Sequence, residues 1–176
     1  WEYDPGSNVW TPRSALPAAA RYGGVAFSIG NRCFAGLGAS TSGPLADLYE
    51  YDPVLDLWAA RSSFTGTART HAVGFGMNGR GYVGTGIDAS TRKQDFFEYD
   101  PVADSWAQKA NYPGTARYAA AGFSIGTKGY IGTGDNGFNS QEFWEYDQGA
   151  DTWIQRQTFG AVSSRKDAMA FSIGNY

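Results

Sequence analysis

The apolar positions of this chain form short runs between turn residues, and no stretch has helical periodicity. In one part of the chain, residues 117–125 form an apolar run, and residues 129–134 form a second run after a short turn. Residues 141–146 alternate polar and aromatic side chains, and residues 152–155 contain a tryptophan. Short apolar or alternating runs bounded by glycine and aspartate are typical of β-strands. The pattern therefore predicts a unit of four short strands.

The same unit returns along the whole chain. The segment Trp1-Glu-Tyr-Asp-Pro has counterparts that begin at residues 49, 97 and 144, at intervals of 48, 48 and 47 residues. Other residues keep this spacing, namely Trp10, Trp58, Trp106 and Trp153, and Arg21, Arg69, Arg117 and Arg165. Repeats of about 20 to 50 residues mark solenoids, propellers or arrays. We divide the chain into repeats 1–48, 49–96, 97–143 and 144–176.

These repeats carry the features of a known family. The chain resembles the bacterial kelch-repeat β-propellers over its whole length, in the spacing of Tyr130 and Trp153 and in a Tyr-Asp-Pro turn before each of the first three repeated tryptophans. It departs from the usual glycine doublet, which appears here as Gly-X-Gly in Gly36-Leu37-Gly38. The resemblance implies an all-β, kelch-type β-propeller built from four-stranded antiparallel blades.

The phase of the repeats predicts three complete blades plus partial blade strands at both ends. Residues 1–4 and the segment around Trp10 correspond to third and fourth strands, and residues 168–173 to a lone first strand. We expect residues 1–176 to be one propeller segment that belongs to a longer propeller of about six or seven blades, as the resemblance implies. The remaining blades would come from the rest of a longer chain or from another copy.

Charge and composition narrow the classes of partner. The formal net charge is −3, and the 14 Lys and Arg residues are spread along the chain, which argues against a nucleic-acid partner. No apolar run approaches the roughly 20 residues of a membrane-spanning helix, so membrane insertion is not expected. The resemblance and a Gly/Ser/Thr-rich, Lys-poor composition favour a secreted or cell-surface protein.

The chain has few residues of the types that bind metal ions or cofactors. The chain has one histidine, His71, and one cysteine, Cys33, so neither a Cys-based zinc site nor an intrachain disulfide is expected. Some kelch relatives are copper-dependent galactose oxidases, whose site needs two histidines and a tyrosine crosslinked to cysteine. That site cannot be assembled from these residues, and we expect no cofactor, no metal and a buried, apolar role for Cys33.

The repeated arginines are candidate binding residues. Arg21, Arg69, Arg117 and Arg165 each precede the innermost strand of a blade, so their guanidinium groups could ring one mouth of the central channel. Such a ring would favour an anionic ligand, because guanidinium groups bind carboxylates and phosphates through paired hydrogen bonds. The alternative is structural: each arginine would pair with an Asp or Glu of a neighbouring blade. Asp47, Asp95 and Glu142 are expected to be pairing partners within the blade.

The loops provide a second set of candidates. The second-to-third-strand loops, residues 39–46, 87–94 and 135–141, differ in sequence and emerge on the same face as the arginines. Loops on a rigid scaffold are frequent sites of recognition. We expect a partner to contact this face at Arg92, Lys93, Asn136 and Phe138, with His71 near the channel.

The sequence favours a non-catalytic binding module that recognises a protein or carbohydrate partner through this face. The chain contains no nucleophile elbow, phosphate-binding loop or metal-ligand spacing. The paired aspartates, such as Asp100 and Asp104, are interpreted as turn residues rather than as catalytic acids or calcium ligands. The alternative function is a sugar-active kelch enzyme, such as a sialic acid mutarotase, because that activity needs only a pocket with well-placed acid and base groups.

Overall fold

The fold consists of β-sheets and the turns that join them. The computed structural model describes residues 1–138, 140–158 and 164–172, and this part of the chain contains no helix. Three sheets have four antiparallel strands each, in the order first, second, third, fourth along the chain. This architecture confirms the expected fold class. Because the described residues contain no helix, they contain none long and apolar enough to cross a membrane.

A hairpin precedes the three complete blades. The hairpin strands are β1 (Glu2–Asp4) and β2 (Val9–Thr11). Blade I contains β3 (Val25–Ile29), β4 (Arg32–Gly36), β7 (Leu48–Asp52) and β8 (Leu57–Arg61). Its loop carries a small hairpin of β5 (Ala39–Ser40) and β6 (Gly43–Pro44). Blade II contains β9 (Val73–Met77), β10 (Arg80–Gly84), β11 (Phe96–Asp100) and β12 (Ser105–Lys109). Blade III contains β13 (Ala121–Ile125), β14 (Lys128–Gly132), β15 (Phe143–Asp147) and β16 (Thr152–Arg156).

The first strands of the blades lie side by side, and their closeness requires small residues. A Cβ atom at Gly76 would lie 1.8 Å from the carbonyl oxygen of Ser28, and one at Gly122 would lie 2.2 Å from a methyl group of Val73. The inner strands border a channel of about 500 Å³, lined largely by Gly24, Ala26, Ala72, Gly74, Ala120, Gly122, Ala168 and Ala170. The small side chains predicted for the innermost strand are therefore at the channel.

Aromatic side chains fill the space between blades. One core lies between blades I and II, where Phe34 meets Tyr99 edge-to-face at 5.6 Å between ring centroids. A second core lies between blades II and III, where Phe96 and Tyr146 are 4.8 Å apart. Such ring pairs contribute about 0.5–1.5 kcal/mol beyond the burial of their area. The high aromatic content of the chain thus serves blade-to-blade packing.

A recurring hydrogen-bonded unit, which we call the blade clasp, joins each blade to the chain segment before it. In blade II the carboxylate of Asp104 accepts hydrogen bonds from the Ser62 N–H at 2.9 Å and from the Tyr99 hydroxyl at 2.7 Å. The Trp106 indole N–H donates to the carbonyl of Ser62 at 3.0 Å. Corresponding clasps join Asp56 and Trp58 to Ser14, and Asp151 and Trp153 to Ala110.

The paired aspartates therefore have two different structural roles. Asp100 accepts hydrogen bonds from the N–H groups of Val102 and Ala103, which closes the turn as the sequence suggested. Asp104, with a left-handed φ of 48°, reaches instead to the preceding segment. Sequence reasoning identified the turn but did not anticipate the link between blades.

One local expectation was wrong. Cys33 is exposed rather than buried, because its neighbour Phe34 is the residue of β4 that points into the core.

The lone first strand expected at residues 168–173 stays a prediction. Residues 168–172 are not paired, and Ile173 lies outside the described residues. In blades I to III a first strand is defined by its pairing with the second strand, and the segment at 168–172 has no such partner among the described residues.

Removing one clasp carboxylate should destabilise the fold. We expect Asp104→Ala to lower the free energy of unfolding by about 2 kcal/mol, because the buried Tyr99 hydroxyl and the Ser62 N–H lose their acceptor. Urea denaturation measures the change. Val102→Ala in the same turn is the control, since Val102 is 89% exposed and its truncation should change the stability little. Equal stability of the Asp104→Ala and wild-type chains would contradict this role of the clasp.

The clasps should also make stability depend on pH at both extremes. Hydrogen bonds from the Tyr51 hydroxyl and the Ser14 N–H lower the pKa of Asp56, and the same carboxylate raises the pKa of Tyr51 to about 12. The Asp56 contribution is complete above the unfolded aspartate pKa of about 3.9 and is lost as pH falls through the lower folded value. The Tyr51 contribution is complete below the unfolded tyrosine pKa of about 10 and is lost as pH rises through the folded value.

We expect the urea midpoint to decline below about pH 4 and to decline less steeply in Asp56→Asn. Urea titrations across the acid range measure both slopes. Identical acid slopes for Asp56→Asn and the wild-type chain would contradict the assignment.

Candidate functional site

The second-to-third-strand loops and the crossings between blades form one face of the molecule, which we call the loop face. Each second strand ends at a Gly-X-Gly segment whose last two residues have left-handed backbone angles, as in Leu37 at 52° and Gly38 at 85°. A Cβ at Gly38 would lie 2.7 Å from the carbonyl oxygen of Tyr22, so only glycine fits there. The last glycine of the segment is therefore required because it contacts the crossing that leads into its own blade.

A buried arginine organises each blade at this face. The five N–H donors of Arg69 are all used: two bond to Thr67, one to the carbonyl of Thr85 and two to the carboxylate of Asp95. Its guanidinium carbon lies 4.9 Å from the centroid of the Phe64 ring. The side chain of Arg69 is fully buried, so its guanidinium group has no free N–H donor for a ligand.

The other blades repeat this arrangement. Arg21 binds Asp47 through two hydrogen bonds of 2.5 and 2.8 Å, and Arg117, also fully buried, pairs with Glu142. The expected partners Asp47, Asp95 and Glu142 are thus ion-paired, but each arginine pairs within its own blade and not with a neighbouring one. This geometry matches the structural alternative for Arg21, Arg69 and Arg117.

Arg165 differs from the other three arginines. Its side chain is exposed beside an apolar cavity lined by Phe123, Phe143 and Met169, and no carboxylate pairs with it among the described residues. Its backbone carbonyl accepts a hydrogen bond from the Gly134 N–H at 2.9 Å, as the carbonyl of Arg69 does from Gly38. A ligand contact at Arg165 stays a prediction.

A chain of backbone hydrogen bonds follows the channel mouth at the loop face. The N–H of His71 donates to the carbonyl of Gly23 at 2.7 Å, that of Ala119 to His71 at 3.0 Å, and that of Asp167 to Ala119 at 3.0 Å. All four residues have left-handed φ angles between 53° and 58°. Non-glycine residues in this conformation carry strain that clusters at functional sites. His71 lies within this chain of hydrogen bonds, and its role in binding stays a prediction.

His71 sits between two tyrosines. Its ring centroid is 6.0 Å from that of Tyr22 and 6.0 Å from that of Tyr118, and its Nδ1 atom is 3.1 Å from the Thr70 hydroxyl. Tyr22 is largely exposed, whereas His71 and Tyr118 are half-buried. The mouth thus presents aromatic surface next to hydrogen-bonding groups.

Beside His71 lies a charged group that occurs once in the described residues, the mouth cluster of Arg92, Tyr118, Asp135 and Lys166. Asp135 accepts hydrogen bonds from Arg92 at 3.0 Å, from Tyr118 at 3.1 Å, from Lys166 at 3.1 Å and from the Gly137 N–H at 2.9 Å. The Gly137 bond is the largest cause that lowers the pKa of Asp135, and Asp135 raises the pKa of Lys166.

The mouth cluster breaks the symmetry of the repeats. Ala39 and Ile87 occupy the positions that correspond to Asp135, and Pro44 the one that corresponds to Arg92. Sequence reasoning found Arg92 but missed Tyr118, Asp135 and Lys166. The available signal was this local departure from the repeat at residues 135 and 166.

The remaining predicted contacts are not part of this group. Lys93 pairs with Asp88 of its own loop at 2.6 Å, and the Asn136 side chain accepts a hydrogen bond from the Phe138 N–H at 3.1 Å. Phe138 is 87% exposed at the tip of the loop that begins at Asp135. Arg92 thus contacts the loop that begins at Asp135, whereas Lys93 contacts only its own loop through Asp88 among the described ion pairs.

The chemistry of the face follows from these pairings. All four acceptor positions of the Asp135 carboxylate are used, so it holds two cations in place and is not a free base. Within residues 1–138, 140–158 and 164–172, no three His, Cys, Asp or Glu side chains are placed to hold a metal ion. The face is suited to binding through cationic and aromatic side chains.

Removing the carboxylate partner of a buried arginine should be costly. We expect Asp95→Asn to lower the free energy of unfolding by about 3 kcal/mol, because Arg69 would remain buried without its counter-charge. Glu2→Gln is the matched control, since it breaks the exposed pair with Arg13 and should leave the stability unchanged within error. Urea denaturation compares the two variants, and equal stabilities would contradict the role of the buried pair.

Comparisons with known proteins bear on the fold. No protein-family model matches the chain, and no curated protein matches it in sequence. In structure it matches 159 chains, so the fold is widely used and does not by itself specify a function.

One of these matches, described as "Structure of YjhT", has a TM-score of 0.76 and 18% sequence identity, and it covers 90% of this chain. The chain spans 58% of the length of that protein. At this identity the likeness concerns the fold alone, and it agrees with an all-β, kelch-type propeller of four-stranded antiparallel blades.

Proposed function

We propose that this chain is a non-catalytic binding module that recognises a protein or carbohydrate partner through its loop face. The observation that carries the proposal is the mouth cluster, a charged and aromatic group that occurs once in the described residues of a scaffold that otherwise repeats. A scaffold residue is expected in every blade, whereas a binding site for one ligand needs to occur once.

The loops support the same proposal. The second-to-third-strand loops differ in sequence, whereas the arginines and clasps beneath them are kept. The proposal also includes the expectations that the chain belongs to a longer propeller, completed by further residues or by another copy, and that it is secreted or displayed at the cell surface.

A second candidate function is a sugar-active enzyme of the sialic acid mutarotase kind, which the kelch resemblance suggests. It is favoured by the ionisable side chains at the open end of the channel, His71, Tyr118 and Lys166. Opening and closing a sugar ring needs an acid and a base near the ring oxygen and the anomeric hydroxyl. The saturated carboxylate of Asp135 argues against that residue as the base.

Replacing the loop tips tests the binding proposal. We expect a chain in which residues 40–43, 88–91 and 136–138 are Gly/Ser segments of equal length, and in which Arg92 and Lys166 are replaced by Gln, to lose at least about tenfold in affinity for ligands found on glycan and protein arrays, a loss of about 1.4 kcal/mol. The backbone bonds of the loop bases would keep the scaffold. Val54→Ser with Leu55→Ser, on the opposite face, is the control.

Two outcomes separate the candidates. Unchanged array binding by a folded loop-tip variant would remove the binding proposal. An anomer-equilibration rate for sialic acid or galactose, followed by NMR, that rises in proportion to protein concentration would establish the enzyme instead.

A further inference from the structure

We propose that the loop face docks a protein through an acidic, apolar segment of that partner: Phe138 enters an apolar pocket of the partner, and Arg92 and Lys166 bind a carboxylate beside the pocket. The inference rests on the proposed binding function and names the class of partner. It follows from three features of the face: an incompletely paired arginine, a local excess of positive charge and an aromatic side chain held outward.

Arg92 is paired far less completely than the arginines of the scaffold. Arg69 uses five N–H donors within the chain, whereas Arg92 donates one hydrogen bond, from Nη2 to Asp135. Its Nε atom is buried with no partner among the described residues, and the side chain as a whole is 37% exposed. Because Nε is buried it cannot meet a partner, so only the exposed part of the guanidinium group, which makes one hydrogen bond within the described residues, is available to an acceptor on a partner.

The charge around Arg92 favours a carboxylate as that acceptor. Arg92 and Lys166 share one carboxylate, Asp135, whose acceptor positions are filled. The mouth cluster therefore carries one positive charge in excess, on a chain whose formal net charge is −3. The exposed residues that flank Lys166, Arg165 and Asp167, have opposite charges and leave this excess unchanged. A localised positive patch on an acidic protein directs acidic groups to that patch.

Phe138 supplies the apolar part of the docking surface. It is 87% exposed, although the loop that carries it is fixed by three hydrogen bonds: from the Gly137 N–H to Asp135, from the Phe138 N–H to Asn136, and from the Asn136 N–H to the Phe138 carbonyl. A large aromatic ring that the hydrogen-bonded residues 135–138 hold in water has the form of an interface anchor, since aromatic and arginine side chains dominate binding energies. These hydrogen bonds lower the entropy that docking would cost.

The shape of the site favours a protein partner over a small molecule. Small-molecule sites are concave and surround most of the ligand, whereas Phe138 stands on a loop tip and is exposed on most of its surface. A side chain that projects in this way needs a pocket on the other molecule. A folded protein can present both the pocket and an adjacent carboxylate.

The test selects random linear and cyclic peptides, displayed on phage, for binding to the immobilised chain. We expect the selected peptides to share an Asp or Glu next to apolar residues. Synthetic versions of these peptides should bind Arg92→Gln and Phe138→Ser at least about tenfold more weakly than the wild-type chain. Arg92→Gln loses a charge-assisted pair, and Phe138→Ser loses an apolar anchor. Lys166→Gln should weaken binding less, and added salt should weaken the wild-type interaction more than that of Arg92→Gln.

Matched control variants lie on the opposite face. Arg80→Gln removes a half-exposed arginine paired with Asp100, and Val102→Ser removes an apolar side chain that is 89% exposed. Both should leave peptide affinity unchanged. Thermal unfolding verifies that each variant is folded, and Arg92→Lys, which keeps the charge but not the planar fork, gives a second variant should Arg92→Gln unfold.

Three results would overturn the inference: selected peptides without acidic residues, equal binding to wild-type, Arg92→Gln and Phe138→Ser, or equal affinity for the peptides and for free glutamate or acidic glycans. The last result would assign a small carboxylate or a carbohydrate in place of a protein. These failures are distinct from failure of the binding proposal itself, which is judged by whether the loop-tip variant keeps its array ligands.

Discussion

The buried arginine of each blade is the interaction on which the loop face depends. In blade II the guanidinium group of Arg69 is neutralised by Asp95 and also holds the carbonyl of Thr85, the middle residue of the Gly-X-Gly segment. The carbonyl of the same arginine accepts a hydrogen bond from Gly38 of the preceding blade. A buried charge is tolerated only when it is paired and its donors are satisfied. The need to satisfy this one group therefore sets the conformation of the loops and the spacing between blades.

Neighbouring blades are also joined by a second device. The Asp–Tyr–Trp clasp ties each third-to-fourth-strand turn and fourth strand to the crossing that follows the preceding blade, in addition to the contacts of the aromatic cores. Both linkages repeat with the sequence, and neither uses the side chains of the loop tips. The sequences of the loop tips can therefore differ between blades without loss of these links. Arg92 and Asp135 of the mouth cluster lie in these loops.

Repetition along the chain separates residues that serve the scaffold from candidate binding residues. Arg21, Arg69 and Arg117 repeat because every blade needs them, and their guanidinium groups are occupied by the blade. The Arg92, Asp135 and Lys166 side chains do not repeat, and they meet Tyr118 only because two loops and two crossings converge at the channel. In a repeat protein, conformity to the repeat marks the scaffold and departure from it marks the candidate site.

The period of the sequence by itself determined the strand order, the four-stranded sheets and the small residues at the channel. These features are local or recur at a fixed interval, so a pattern of residue types specifies them. Only the tertiary structure decided that the arginines pair within their own blades, that Cys33 faces solvent and that Asp104 joins two segments. It also decided that Arg92, Tyr118 and Lys166 share the carboxylate of Asp135, because that contact depends on how far consecutive blades are rotated about the channel, which no single repeat encodes.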